Sequence, residues 1–358
     1  MWNISYIRLF IIEKKGVIMM KKILTCIFTM VVAFGLMTIP CKAEAGIKEK
    51  YVDYKGIKVY TEAYNYSPKA KEAVIFLHGL GGSHSHGEFL YNQSNPYMTI
   101  TLDYLDHGNS GHIPTVTWDN HLESIKAVLD AYGIEKVHVV GHSFGADTAM
   151  MFAEKYPEYV EDVVLLDRAY FNFKDYEKFN ITKNLMGTLE YDPQSGLSQE
   201  EFSQYLNILW DNDITKTWKI NKDVLLLGGS GKNFSGNSST GIPSLADIIA
   251  MIKQSPSDFN IDPEVAATFP DITEKNVSDL VDYLKLKINQ FPNVNKMFSS
   301  IQTDFAHGDM VRDPIAMEAM RNYVIEYLTS ESKQVEEYKE KNNQNQYKHS
   351  IHEFNFFN

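Results

Sequence analysis

The stretch Val137-His138-Val139-Val140-Gly141-His142-Ser143-Phe144-Gly145-Ala146 decides the fold. A short apolar run enters it, and a helical stretch from Ala146 to Tyr156, stopped by Pro157, leaves it. Between them stands the spacing Gly141-x-Ser143-x-Gly145. A sharp turn from strand to helix leaves a central serine hydroxyl exposed. The flanking glycines tolerate the tight backbone, and the helix N-terminus faces developing negative charge. Ser143 is therefore a candidate nucleophile.

The pattern repeats on both sides of this turn. Tyr51 to Tyr64, broken at Lys55-Gly56, predicts a β-hairpin, and Ala73 to Leu77 and Tyr97 to Leu102 predict buried strands. Trp118 to Tyr132 spaces Leu122, Ile125, Leu129 and Tyr132 helically, with Gly133 as a natural stop. Val163 to Leu166, Val224 to Leu227 and the weaker Phe298 to Ile301 predict three more strands. Pro314 to Leu328 predicts a closing helix with Asp313 at its N-cap. Continuous apolar strands alternating with helices imply an α/β class, with a mostly parallel twisted sheet covered on both faces. Residues 171–221, rich in aromatics and helix-like, read as a cap inserted between strands, and 230–276 as a second, partly helical insertion.

From about Val52 to Leu328 the chain resembles the α/β-hydrolase superfamily. His78-Gly79-Leu80-Gly81-Gly82 resembles its oxyanion loop. The resemblance implies that the backbone N–H groups of Leu80 and Phe144 stabilise a tetrahedral oxyanion. Asp103-Tyr104-Leu105-Asp106-His107-Gly108-Asn109-Ser110 resembles the family turn D-x-x-G-H-G-x-S, with Asp106 where glycine is usual. In the family that turn is structural, which makes Asp103 and His107 turn-formers.

A serine hydroxyl needs a base at neutral pH. His307, in Asp304-Phe305-Ala306-His307-Gly308-Asp309-Met310, lies between the last strand and the last helix, where the family carries its catalytic histidine. The triad acid departs from the pattern. The family usually supplies it after the strand that here is Val224 to Leu227, but Gly228-Gly229-Ser230-Gly231-Lys232-Asn233 follows, with no carboxylate. Asp167, at the end of the preceding strand, is the candidate acid. Pairing with Arg168 or capping the next helix is the alternative role for it, and Asp247 or an acid-free dyad is the alternative for the site. His142 and Gly79 are expected to line the substrate pocket. His84-x-His86 lacks the carboxylate or thiolate partners of a metal site, and the sequence implies no cofactor.

The 358 residues are 44% hydrophobic and 22% charged, ordinary for one large domain. A net charge of −12 argues against binding a nucleic-acid backbone. Lys21-Lys22, the apolar run Ile23 to Ile39 and Ala43-Glu44-Ala45 form the three regions of a signal peptide cleaved after Ala45. Thr38-Ile39-Pro40 before Cys41 lacks the small residues of a lipobox, and the run is short for a membrane anchor. The purine-rich codons available to Lys14-Lys15-Gly16-Val17 point to a true start at Met19 or Met20. Cleavage removes both cysteines, six Lys/Arg and two Asp/Glu, leaving 28 and 44 and a net charge of −16.

The expected organisation is thus 1–45 signal peptide and upstream mis-start, 46–170 and 222–330 hydrolase core including the insertion 230–276, 171–221 cap, and 331–358 a charged, Asn/Gln-rich tail. The expected function is a secreted serine esterase or lipase-like hydrolase acting on an apolar small-molecule or lipid-like substrate, with no stable membrane insertion after processing. Serine at the elbow argues against the dehalogenases and epoxide hydrolases of this superfamily, which use Asp there. A binding or signalling protein on the same scaffold remains the alternative, kept open by the missing acid after Leu227.

Overall fold

A computed structural model describes residues 46–236, 243–291 and 298–330. The expected signal peptide, both cysteines and the expected tail lie outside the described residues.

The strands are β1 (Lys48–Tyr54), β2 (Ile57–Tyr64), β3 (Glu72–Leu77), β4 (Met98–Leu102), β5 (Lys136–His142), β6 (Val160–Leu166), β7 (Asp223–Gly228) and β8 (Phe298–Gln302). They form one sheet in the order β1-β2-β4-β3-β5-β6-β7-β8. β1 and β2 pair antiparallel, β2 meets β4 antiparallel, and every later pairing is parallel. Lys55 (φ 52°) and Gly56 (φ 86°) close the hairpin with two left-handed residues, whose twist matches that of the flanking strands.

The helices are α1 (Trp118–Tyr132), α2 (Phe144–Lys155), α3 (Lys183–Glu190), α4 (Gln199–Trp210), α5 (Lys232–Ser235), α6 (Leu245–Gln254), α7 (Pro263–Ala267), α8 (Glu274–Gln290) and α9 (Pro314–Thr329). Alternation along each strand splits the core between the two faces of the sheet. Ile75, Leu77, Val137, Val139, Val163, Leu165, Val224 and Leu226 pack with α1 and α2 on one face. Val74, Phe76, Val140, Val164, Leu166, Leu225 and Leu227 pack with Met320, Val324 and Leu328 of α9 on the other. Burial on both faces is why these strands read as continuous apolar runs.

Most strand and helix limits expected from the sequence hold within a few residues. Residues 171–221 lie between β6 and β7 and form α3, α4 and flanking 3₁₀ turns. The expected end of the second insertion at 276 needs correction, because Thr273 caps α8 and that helix continues to Gln290. The Thr273 side chain accepts from Asn276 N–H, so residue 276 sits in the first turn of a helix and is no boundary.

Candidate active site

Ser143 sits on the turn between β5 and α2 with φ 54° and ψ −124°, a strained conformation for a non-glycine residue. The two glycines explain how the turn fits. A Cβ on Gly145 would lie 1.9 Å from the Leu77 carbonyl oxygen of β3, and one on Gly141 would lie 2.2 Å from the Gly145 oxygen. Only glycine lets the elbow lie this close to the neighbouring strand.

His307 follows β8 and comes down over the elbow. Its Nε2 is 2.9 Å from Ser143 Oγ, and its Nδ1 is 2.9 Å from Asp167 Oδ2. An ionised carboxylate only accepts, so the Nδ1–H donates to Asp167 and the Nε2 lone pair faces the serine hydroxyl. The structure thus brings together the three residues singled out in the sequence. Asp167 itself leaves β6 with φ 55°. Its Oδ1 accepts from Gly229 N–H at 2.5 Å and from Tyr170 O–H at 3.1 Å.

Arg168 does not pair with Asp167. Its guanidinium turns inward to Asp147 of α2, with Nε 3.1 Å from Oδ2, donates to the Phe171 carbonyl and stacks on Phe171 and Phe173. Burial pushes Asp147 up to about 6 despite that cation. Asp247 completes the capping box of α6 with Ser244, and the carboxylate that meets the imidazole is Asp167.

Two buried neutral histidines hold the loop that passes the nucleophile. His78 donates from Nδ1 to the Gly79 carbonyl and accepts from Tyr104 N–H. His107 donates from Nδ1 to the Leu105 carbonyl and accepts from Gly81 N–H at 3.2 Å. Burial holds His107 down at about 4 and His78 well below the ordinary imidazole value, so both keep the neutral tautomers these bonds need. Asp103 acts on the turn as expected, accepting from Asn109 N–H and from both the backbone and the ring of His84. The N–H groups of Leu80 and Phe144 have no protein acceptor among the described residues, and both residues line the cavity over Ser143.

That cavity has Ser143, Asp167 and His307 at its base. Phe171, Phe173, Tyr176, Met186, Phe202, Leu206 and Leu209 come from the segment between β6 and β7, and Phe234 and Leu284 from the segment between β7 and β8. Aromatic and aliphatic side chains dominate this part of the wall, and Arg168, Glu190 and Asn233 add polar and charged groups to it. His142 and Gly79, expected there, do not line it. Residue 142 ends β5 on the same face as Val140, which turns its ring away from the cavity and under the His307 loop. His142 is buried and donates from Nε2 to the His307 carbonyl at 2.8 Å. Burial, followed by the neighbouring His307, holds it well below the ordinary imidazole range.

A family model described as alpha/beta hydrolase fold matches residues 72–207, which include Ser143 and Asp167. The chain has the α/β-hydrolase fold. An enol-lactonase from Burkholderia xenovorans aligns with a TM-score of 0.52 at 11% identity, over 78% of this chain and all of that one. A deep-sea metagenome α/β hydrolase aligns at 0.51 and 15% identity, over 79% and 98%. Among curated proteins the chain is 32% identical over 108 residues to an ethanol acetyltransferase of Cyberlindnera jadinii, 29% of this chain and 32% of that protein. It is 34% identical over 98 residues to an sn-1-specific diacylglycerol lipase of Mus musculus, 26% and 32% of the two chains. It is 27% identical over 123 residues to an esterase/lipase-like protein of Haemophilus influenzae, 34% and 43%. The matched segment spans about a third of the length of the first of these curated relatives.

Proposed function

We propose that the chain is a serine hydrolase that cleaves an ester-type bond in an apolar substrate through an acyl-enzyme. The observation that carries this reading is the unbroken series Ser143 Oγ, His307 Nε2, His307 Nδ1, Asp167 Oδ2, with 2.9 Å at each hydrogen bond. Ser143 Oγ attacks the carbonyl carbon while His307 Nε2 takes its proton, and Asp167 stabilises the imidazolium. The N–H groups of Leu80 and Phe144 receive the oxyanion. His307 then protonates the leaving alcohol, and a water activated by the same imidazole releases the acid. The aromatic and aliphatic side chains over Ser143 suit an acyl or aryl group, while Glu190 and Asn233 can meet a polar part of the substrate.

The carboxylate absent after β7 kept a binding role open, and Asp167 in its place favours turnover. Transfer of the acyl group to an alcohol is a second reading, suggested by the similarity to alcohol acetyltransferases. The same intermediate serves both, and ethyl ester formed in added ethanol separates them. We also propose export by the signal peptide described above. Labelling by a fluorophosphonate probe tests the main reading. Wild type is expected to label and to hydrolyse short p-nitrophenyl esters, and Ser143→Ala to do neither. Labelling that persists in Ser143→Ala would move the nucleophile elsewhere.

A further inference from the structure

Asp106 stands where the turn pattern of the superfamily has glycine, and it bears two costs that glycine would not. Its φ is 69°, in the left-handed region. Its side chain is also fully buried: Oδ1 accepts from Ile113 N–H at 2.8 Å, and Oδ2 has no partner among the described residues. A buried carboxylate oxygen without a partner calls for a cation or a proton.

Two further ligand-type side chains face it. His112 Nδ1 lies 3.6 Å from Asp106 Oδ1 and 2.7 Å from Glu201 Oε1. One donor atom from each of the three residues lies within 4.8 Å of the others. Among the described residues the ion-pair partner of both carboxylates is His112, and no Lys or Arg joins them. Two carboxylates and one imidazole nitrogen suit a zinc-type cation, since calcium and magnesium prefer all-oxygen shells. His112 is largely exposed, which leaves room for water to complete four ligands.

We propose that Asp106, His112 and Glu201 bind one divalent cation of the zinc class. The ion bridges the turn after β4 to α4, where Glu201 occupies the first turn and Tyr205, one turn on, donates to the Leu105 carbonyl at 2.6 Å. It therefore clamps the helical segment over the cavity to the loop that His107 ties to Gly81. A second group, Glu62, His84 and Glu88, has similar donors but a different state. Burial opposes charge on His84, but Asp103 and Glu62 outweigh it and lift His84 to about 10. That ring is already the cation of its cluster.

Titration of the chelator-stripped full chain with Zn²⁺ by calorimetry tests the proposal. Wild type is expected to bind one equivalent and to gain several degrees in Tm. Asp106→Gly suits φ 69° and is expected to fold, yet to bind at least about 100-fold more weakly and to lose the Tm gain. His112→Ala, at an exposed position, is expected to lose binding likewise, whereas Glu88→Gln binds as wild type does. The proposal is overturned by absence of saturable one-to-one binding. It is equally overturned by wild-type affinity in Asp106→Gly or His112→Ala, or by loss of binding in Glu88→Gln.

Discussion

Asp167 and Gly229 meet across the ends of β6 and β7, where the Gly229 N–H donates to Asp167 Oδ1 at 2.5 Å. The strands are in register, with Leu166 opposite Leu227. A Cβ on Gly229 would lie 2.4 Å from Asp167 Oδ2, the oxygen that meets His307. The strand end that lacks a carboxylate thus supplies both the space and the donor for one coming from its neighbour.

Gly229→Ala is therefore expected to push the carboxylate off the imidazole and lower kcat by about 100-fold, with KM little changed. Asp167→Asn removes the acceptor itself and is expected to cost about 10⁴-fold in kcat through the wrong tautomer. Asp247→Asn alters only a helix cap and leaves the rate alone. Ester hydrolysis by the three purified variants decides the matter. A full-rate Asp167→Asn enzyme would mean that the acid is not needed.

The sheet and elbow were legible because strand length, flanking glycines and helical spacing are local signals. Ser143 and His307 followed, since each occupies a loop bounded by such elements. Asp167 was legible only as one of several options, because choosing it requires knowing that β6 and β7 are neighbours in register. The Gly229 N–H, the Tyr170 hydroxyl and the Arg168–Asp147 pair were not legible at all. Each depends on how the chain turns after β6, where Asp167 and Ala169 are left-handed with φ 55° and 71°. His142 was misread because its face of β5 is set by strand alternation, while the motif drew attention to the serine beside it.

His142 is a positioning residue: its Nε2–H holds the backbone of the loop that carries His307. His142→Phe keeps a ring there but loses the donor. It is expected to lower kcat by about tenfold with KM unchanged, since the imidazole is misplaced and not removed. His142→Gln can restore a donor and is expected to recover part of the loss. Equal kcat in all three proteins would remove His142 from the catalytic account.

Export makes a prediction of its own. Protein recovered from culture medium is expected to begin at Gly46, after the Ala43-Glu44-Ala45 site. N-terminal sequencing reads this directly. An intact Met19 or Met20 on membrane-bound material would replace the signal peptide with an anchor.

The last prediction concerns acid stability. Burial holds His121 down at about 3 and His86 and His107 at about 4, with His78 and His142 also well below 6.5. These groups stay neutral when folded and take protons when unfolded. Between pH 6.5 and about 4 the unfolded chain therefore binds more protons, and stability falls as pH falls. Asp106, Asp147 and Asp309 act in the opposite sense. Burial lifts each to about 6, so the folded chain holds their protons first, and their cost is relieved on acidification. Burial raises Glu88 and Asp223 as well, and they act with these three. Hydrogen bonds lower Asp53, Glu62, Glu123, Asp213 and Asp271, which lose stability in acid as the histidines do; net destabilisation in acid is expected. His121 isolates one member of the set. It packs against Trp118, Phe144, Tyr104 and Tyr205, and its Nδ1 has no partner among the described residues. His121→Phe fits such aromatic surroundings and removes one titration, worth up to about 1.4 kcal/mol per pH unit. Thermal unfolding of both proteins from pH 7 to 4 is expected to show a shallower acid decline in the variant. Parallel curves would mean that His121 is already neutral in the unfolded chain, or charged in the folded one.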